Sequence, residues 1–149
     1  MISSNNKDPF QLDRFLQAQE GAHDAVLSEL RAGRKQSHWM WFVFPEIEGL
    51  GSSPTASQFA IKSIAEAEAY LHHPILGPRL RECTTTLLSS SGLSASDVFG
   101  YPDDLKFCSS MTLFDHVAPD NSLFADAISK YCEGHRDEKT LAILHANEI

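Results

Sequence analysis

The chain has 149 residues, 42% of them hydrophobic and 21% charged, with 12 basic against 20 acidic side chains and a net charge of −8. This is the composition of one folded domain of ordinary size, able to bury a core without a metal or a disulfide. The acidic balance excludes a general nucleic-acid or membrane-surface binder, because phosphate contacts need a basic field.

Charge is unevenly spread. Arg31, Arg34, Lys35 and His38 form a local basic patch, whereas the stretch from Asp97 onward holds ten acids against four Lys or Arg. The first seven residues are polar and lack the apolar stretch of a signal peptide. The longest apolar run, Trp39 to Phe44, falls far short of the roughly 20 residues of a spanning helix. Cys83, Cys108 and Cys132 form no metal-ligand pair, and an odd count is read as reduced, buried or half-buried thiols in a cytoplasmic protein.

In chain order, Asp8-Pro9 is a helix start signal, an N-cap followed by proline at the first helical position. Phe15, Gln19, Ala22, Val26 and Leu30 recur at a step near four, which predicts one helix closed by Gly33. Ser37 caps a second, short segment through Trp41 and Phe44, stopped by Pro45. Residue type allows that run to be a buried strand as well. The rest of the chain offers no second β segment to pair with it, so it is read as helix. Glu46 to Ser57 is rich in glycine, serine and proline and reads as a loop.

Ser63-Ile64-Ala65-Glu66 has the spacing of a capping box and starts a helix running to about Leu71. His73-Pro74 breaks it. Leu76, Leu80, Cys83 and Leu87 mark the next amphipathic helix, ended by Ser91-Gly92. Ser94 to Asp97 repeats the capping pattern for a short helix ending near Phe99-Gly100. Pro102-Asp103-Asp104 leads into a helix through Leu105, Met111 and Phe114, with one Asp as the cap. Leu123, Phe124, Ile128 and Tyr131 form another, closed by Gly134, and Asp137 caps the last through Leu141 and Leu144. The expectation is a mainly α single domain spanning residues 1–149, about seven short helices in an irregular array.

Several blocks together resemble a known family. They are Arg14-Phe15 with Gln19, the run Gly33-x-Lys35-x-x-His38-Trp39-Met40-Trp41-Phe42-x-Phe44-Pro45, and Gly49-Leu50-Gly51. Further on come Glu66-Ala67-x-x-Tyr70-Leu71-x-His73-Pro74-x-Leu76-Gly77-x-Arg79-Leu80 and Phe99-Gly100-x-Pro102-Asp103-Asp104-Leu105-Lys106-x-x-Ser109-Ser110-Met111-Thr112-Leu113-Phe114. The pattern is similar to the domain of unknown function family 1810, small helical proteins of bacteria and fungi. The resemblance implies a mainly α fold and no established activity. Members are often labelled calpastatin-like, but such an inhibitor is a disordered, repetitive chain, unlike this capped and apolar-patterned one. Two positions depart from the family pattern: Glu46 stands where glutamine is usual, and Cys108 where a basic residue is frequent. A fainter likeness, Lys106 to Phe114 with Pro119 and Phe124, is similar in spacing to part of the NADAR superfamily, whose members hydrolyse N-glycosidic bonds of nucleotide or ADP-ribose compounds.

Two constellations suit chemistry. Lys35 and His38, three apart and expected on one helix face beside Trp39 and Trp41, would serve as a phosphate cation, an acid–base group and stacking indoles. Both indoles equally suit core anchors. Asp103, Asp104 and Lys106 would supply paired carboxylates and a cation, although carboxylates at a helix start are also explained by capping and the helix dipole. Ser109, Ser110 and Thr112 lie mid-helix, where hydroxyls have poor propensity, and suit either contact with a ligand or bonding back to the preceding turn. Glu46 abuts the aromatic run and is the acidic candidate of the loop. His72-His73 has no further ligand at metal spacing, so neither a metal nor a cofactor is expected. Two functions follow. One is binding, with metal-independent hydrolysis, of a phosphate-bearing nucleotide or ADP-ribose-like molecule by His38, Asp103, Asp104, Lys35, Trp39, Trp41, Glu46, Lys106, Ser109 and Ser110. The other is a non-catalytic helical interaction module.

Overall fold

Asp8 is not the cap of the first helix and Pro9 is not its first residue, since that helix begins at Asp13 after Leu12. The Asp8 carboxylate instead folds the chain ahead of it by accepting the backbone N–H groups of Leu12 (2.7 Å) and Asp13 (3.0 Å). The computed structural model describes residues 8–51, 53–90, 92–118 and 122–147. Readings that fall on residues 1–7, Ser52, Ser91 and Pro119 lie outside these. Ten helices occur among the described residues: α1 (Asp13–Gln19), α2 (His23–Ala32), α3 (Met40–Val43), α4 (Pro54–Phe59), α5 (Ile64–His72), α6 (Leu76–Leu88), α7 (Ala95–Phe99), α8 (Asp103–Val117), α9 (Ser122–Tyr131) and α10 (Glu138–Asn147). The fold is mainly α, and its β structure among the described residues is one isolated parallel bridge between Ile47 and Ile61. Among the described residues no helix is long and apolar enough to cross a membrane.

Helix α8 is the axis of the fold. It packs against α3, α5, α7, α9 and α10, while α6 joins α2, α5 and α9 around it. That position explains its sequence, which has hardly any polar face: Phe107, Ser109, Ser110, Met111, Thr112, Leu113 and Phe114 are all buried. A helix enclosed on most sides has no need of an amphipathic stripe. Two of its hydroxyls bond back to its own backbone, Ser109 Oγ donating to the Leu105 carbonyl (3.1 Å) and Thr112 Oγ1 to the Cys108 carbonyl (2.8 Å). Phe107 packs against Phe44, Phe99 and Tyr131, and Phe114 against Tyr70 and Phe124. Truncation of either ring to alanine removes roughly 3–5 kcal/mol.

A buried polar network fixes the other half. The Arg14 guanidinium donates to the carbonyls of Phe10 (2.7 Å), Gln58 (2.8 Å) and Ala60 (2.8 Å) and to the Glu66 carboxylate (2.7 Å). Glu66 in turn accepts the Lys62 N–H (3.0 Å), so α1, the end of α4 and the start of α5 are held as a unit. Gln19 donates to the Phe42 carbonyl (2.7 Å) and the Tyr70 hydroxyl (3.2 Å) and accepts from Arg79 (3.3 Å).

Several expectations are corrected. The run from Phe15 to Leu30 is two helices, because Gly21 takes a left-handed φ of +75° that ends α1 and re-aims the chain. Gly33 does close α2 with a left-handed φ of +77°, as its position predicted. Lys35 and His38 do not share a helix face, since the chain between α2 and α3 is not helical. Ser37 caps nothing; its hydroxyl donates to Glu29 (2.6 Å). The loop from Glu46 to Ser57 contains the start of α4, capped by Ser53, which accepts the Ala56 N–H (3.1 Å) ahead of Pro54. Neither Asp103 nor Asp104 is the cap of α8, where Pro102 stands. Leu105 is 56% exposed. The capping roles read for Ser63, Ser94 and Asp137 do occur. Cys108 and Cys132 are joined in a disulfide, against the expectation of reduced thiols, because the packing of α8 on α9 brings them together; Cys83 is free and buried.

Candidate functional site

Just after α3, Pro45 stops the helix and the chain becomes extended. The Ile61 N–H donates to the Glu46 carbonyl (2.8 Å) and the Glu48 N–H to the Ile61 carbonyl (2.7 Å). Alternation along an extended segment sends Ile47 into the core, 1% exposed, and Glu46 to the opposite side. There Glu46 lines a cleft of about 380 Å³. One wall is the start of α8, with Pro102, Leu105, Lys106 and Ser109 at helical spacing. The rest of the lining is Trp41, Leu50, Gly51, Ser53 and Ala56, and Asp137 with Lys139 at the start of α10. A smaller hollow beneath Trp41 and Glu46 adjoins it, with Glu48, Ser57 and Phe59 in its lining. The volume lies within the roughly 300–1,000 Å³ of ordinary small-molecule sites.

The polar groups of the cleft act on one another. The Lys106 ammonium stands 4.8 Å above the Trp41 ring and 3.6 Å from Asp103 Oδ1. Burial pushes the Glu46 carboxyl up to about 7; Lys106 and the nearby Ser109 hydroxyl work against that shift, and Asp137 and Asp103 add to it. A carboxyl titrating near neutrality can give or take a proton at the working pH, which an ordinary surface glutamate cannot.

The residues singled out in the sequence divide into groups. Trp41, Glu46, Lys106 and Ser109 meet in the cleft. Asp103 stands behind it, bridging Lys106 and Lys35, with Lys35 Nζ 2.9 Å from its Oδ2. Lys35 is thereby committed to Asp103 and to the face of Trp39, 5.3 Å away. Trp39 is a core residue, 2% exposed, whose indole donates to Glu29 (2.9 Å). His38 is exposed and makes no hydrogen bond, ion pair or ring contact among the described residues. Asp104 lines a neighbouring groove of about 560 Å³ instead. Ser110 is fully buried, and its hydroxyl has no partner among the described residues. His73 accepts the N–H groups of Ile75 (3.1 Å) and Leu76 (3.2 Å) through Nδ1, which starts α6.

Asp137 and Lys139 were not singled out for chemistry, because Asp137 reads fully as a helix cap. It performs that task too, accepting from Thr140 N–H (2.9 Å) and Oγ1 (2.6 Å). Nothing local in the sequence says that residues about position 137 stand opposite those about position 46.

Residues 9–144 match the model of a family described as "Protein of unknown function (DUF1810)". The chain belongs to the DUF1810 family. No curated protein sequence matches it. Among solved structures it is similar to the conserved hypothetical protein Rv1873 from Mycobacterium tuberculosis, at 52% identity and a TM-score of 0.91 over 93% of this chain and 99% of that one. Within this DUF1810 chain the blocks that carried the family resemblance serve two ends. Arg14, Gln19, Glu66, Tyr70 and Arg79 are the buried polar network, and Trp41, Lys106 and Ser109 face the cleft. Glu46, where the DUF1810 pattern usually has glutamine, adds the titratable group.

Proposed function

We propose that this protein binds a phosphate-bearing nucleotide or ADP-ribose-like small molecule in the cleft between α8, α10 and the segment after α3, and hydrolyses its N-glycosidic bond. One observation carries the reading: Glu46, raised to about 7, lines the same cavity as an indole face and two lysines. Trp41 offers the surface on which a base stacks. Lys106 and Lys139 supply the cations for phosphate. Glu46, protonated, gives its proton to the departing base nitrogen as the C1′–N bond breaks. Water then bonds to C1′ and its proton returns to Glu46. Asp137, across the cleft, favours the positive charge that develops on the sugar. Asp103 acts one step removed, as the counter-charge that holds Lys106. His38, Asp104 and Lys35 take no part in this arrangement. The reading is of a cytoplasmic protein, and the net charge of −8 favours a small ligand over nucleic acid.

A thermal-shift panel of AMP, NAD, ADP-ribose and free bases tests it. A ligand at about a hundredfold its Kd adds roughly 2.7 kcal/mol, and about 2–4 °C per kcal/mol makes that visible. The shift should vanish in Lys106→Ala, and base release from the bound compound should vanish in Glu46→Gln. The absence of any shift across the panel would rule the reading out. A second reading, a helical interaction module, draws on Tyr101 and Leu105, 82% and 56% exposed at the start of α8. It requires that Tyr101→Ser with Leu105→Ser abolish association with a protein partner while leaving any nucleotide response intact.

A further inference from the structure

The Cys108–Cys132 disulfide lies beside the cleft and is wired to both of its walls. Cys108 directly precedes Ser109 and follows Lys106 by two residues, all on α8. The Cys108 carbonyl accepts from Thr112 Oγ1 (2.8 Å), and that same oxygen accepts the Asp137 N–H (2.9 Å), fixing the first residue of the opposite wall. Cys132 follows the last residue of α9, and only four residues separate it from Asp137. The cross-link therefore closes a short circuit: α8, the end of α9, the turn through Gly134, and the start of α10 back onto α8. Both cysteines are half-buried and line the groove of about 560 Å³, which also contains Leu105, Asp137 and Lys139 of the cleft wall. A small thiol has a route to the sulfurs.

We propose that reduction and re-formation of the Cys108–Cys132 disulfide by low-molecular-weight thiols sets the position of the α10 start, and through it the affinity of the cleft for its ligand. The inference deepens the functional reading above and rests on it for the ligand. In the reductive direction a thiolate attacks one sulfur. The protein S–S bond breaks, a mixed disulfide forms, and the other cysteine leaves as thiolate. A second small thiolate attacks the small-molecule sulfur of the mixed disulfide, releasing the remaining cysteine thiolate and a small-molecule disulfide. Both protein thiolates take up protons from solvent, and the two electrons come from the two small thiols. With the link open, the α10 start is held to α8 by the Thr112 hydroxyl contact, by the Arg136–Asp115 ion pair (2.8 Å) and by apolar packing, and the positions of Asp137 and Lys139 relative to Lys106 and Glu46 are less tightly fixed.

The test compares oxidised protein with protein reduced by dithiothreitol, using free-thiol titration, amide hydrogen exchange over residues 133–140, and the thermal shift given by ADP-ribose. Reduction should raise the thiols titrated after acid quenching and unfolding from Cys83 alone to all three cysteines, speed exchange at Asp137 and Thr140 severalfold, and weaken the ADP-ribose shift. Cys108→Ser with Cys132→Ser should show the reduced behaviour under both conditions, and Cys83→Ser should respond as the wild type does. Unchanged exchange at the α10 start after the thiol count has risen would overturn the proposal. An exchange response with no ADP-ribose shift in either state would sink the nucleotide reading while leaving the redox coupling of α10 established. An exchange response with an ADP-ribose shift equal in both states would overturn the claim on affinity.

Discussion

Lys35 Nζ lies 2.9 Å from Asp103 Oδ2, and this ion pair ties the chain after α2 to the first turn of α8. Lys106 shares the same carboxylate from the other side at 3.6 Å. The backbone adds to the tie, since the Lys35 N–H donates to the Val98 carbonyl (2.7 Å). Lys35 is thus a brace for the helix that presents Lys106. Its replacement by alanine should lower stability by about 1–2 kcal/mol, with Lys106 limiting the loss by remaining beside Asp103. Denaturant midpoints of Lys35→Ala, Asp103→Asn and the double variant measure the coupling. Ligand affinity in Lys35→Ala should stay within a few-fold of wild type; a complete loss would move Lys35 from brace to ligand contact.

Glu46 gives a pH-dependent signature. Its folded pKa, about 7, lies above the ordinary 4.5, so the native state holds a proton that the unfolded chain releases earlier. Native stability attributable to this group therefore falls as pH rises from about 4.5 to about 7. Glu46→Gln, which cannot ionise, should gain on wild type across that window by roughly 1–3 kcal/mol. Melting temperatures of both proteins on either side of the window decide it. Parallel curves would mean that Glu46 is ionised throughout.

Glu29 predicts the opposite slope. Burial works against its ionisation, but the Ser37 hydroxyl, the Gln36 and Ser37 N–H groups and the Trp39 indole all donate to it and hold it near 2, below the ordinary 4.5. Here the stabilisation is complete above about 4.5 and is lost as pH falls toward 2. Glu29→Gln should be destabilised near neutrality by about 1–3 kcal/mol, with the difference shrinking in acid. Urea midpoints at neutral and acidic pH provide the check.

The two adjacent serines of α8 should behave differently. Ser110 is buried with no partner among the described residues, so Ser110→Ala should be neutral or stabilising by up to about 1 kcal/mol and should leave binding unchanged. The Ser109 hydroxyl beside Glu46 works against the rise of its carboxyl, so Ser109→Ala should raise the Glu46 titration midpoint further. Following the Glu46 carboxyl resonance against pH in both variants separates them.

The fold was legible where local physics decides it. Ser63, Ser94 and Asp137 declare their helices because a side-chain oxygen must meet an orphan N–H within three residues. Gly33 declares a helix end for a similarly local reason. The break at Gly21 was hidden by apolar residues that keep a step near four on both sides of it. In the site, Trp41, Glu46, Lys106 and Ser109 were all named from residue type and placement. Lys35, His38 and Trp39 were grouped with them because a helix was expected where the chain is irregular. The roles of Glu29 and Asp103 were less visible: each acts on residues distant in the chain or beyond its own turn. The disulfide was invisible for the same reason, since only the packing of α8 on α9 sets Cys108 beside Cys132.

The two tryptophans allow the most direct test of the cleft. Trp39 is buried with its indole N–H on Glu29, whereas Trp41 faces the cleft beneath Lys106. Their indole N–H resonances are therefore separate reporters of core and site within one molecule. Titration of the ¹⁵N-labelled protein with ADP-ribose should shift the Trp41 resonance in a saturable way and leave that of Trp39 in place. A saturating shift at Trp39 alone, or no change at either indole up to millimolar ligand, would contradict the assignment of this cleft as the binding site.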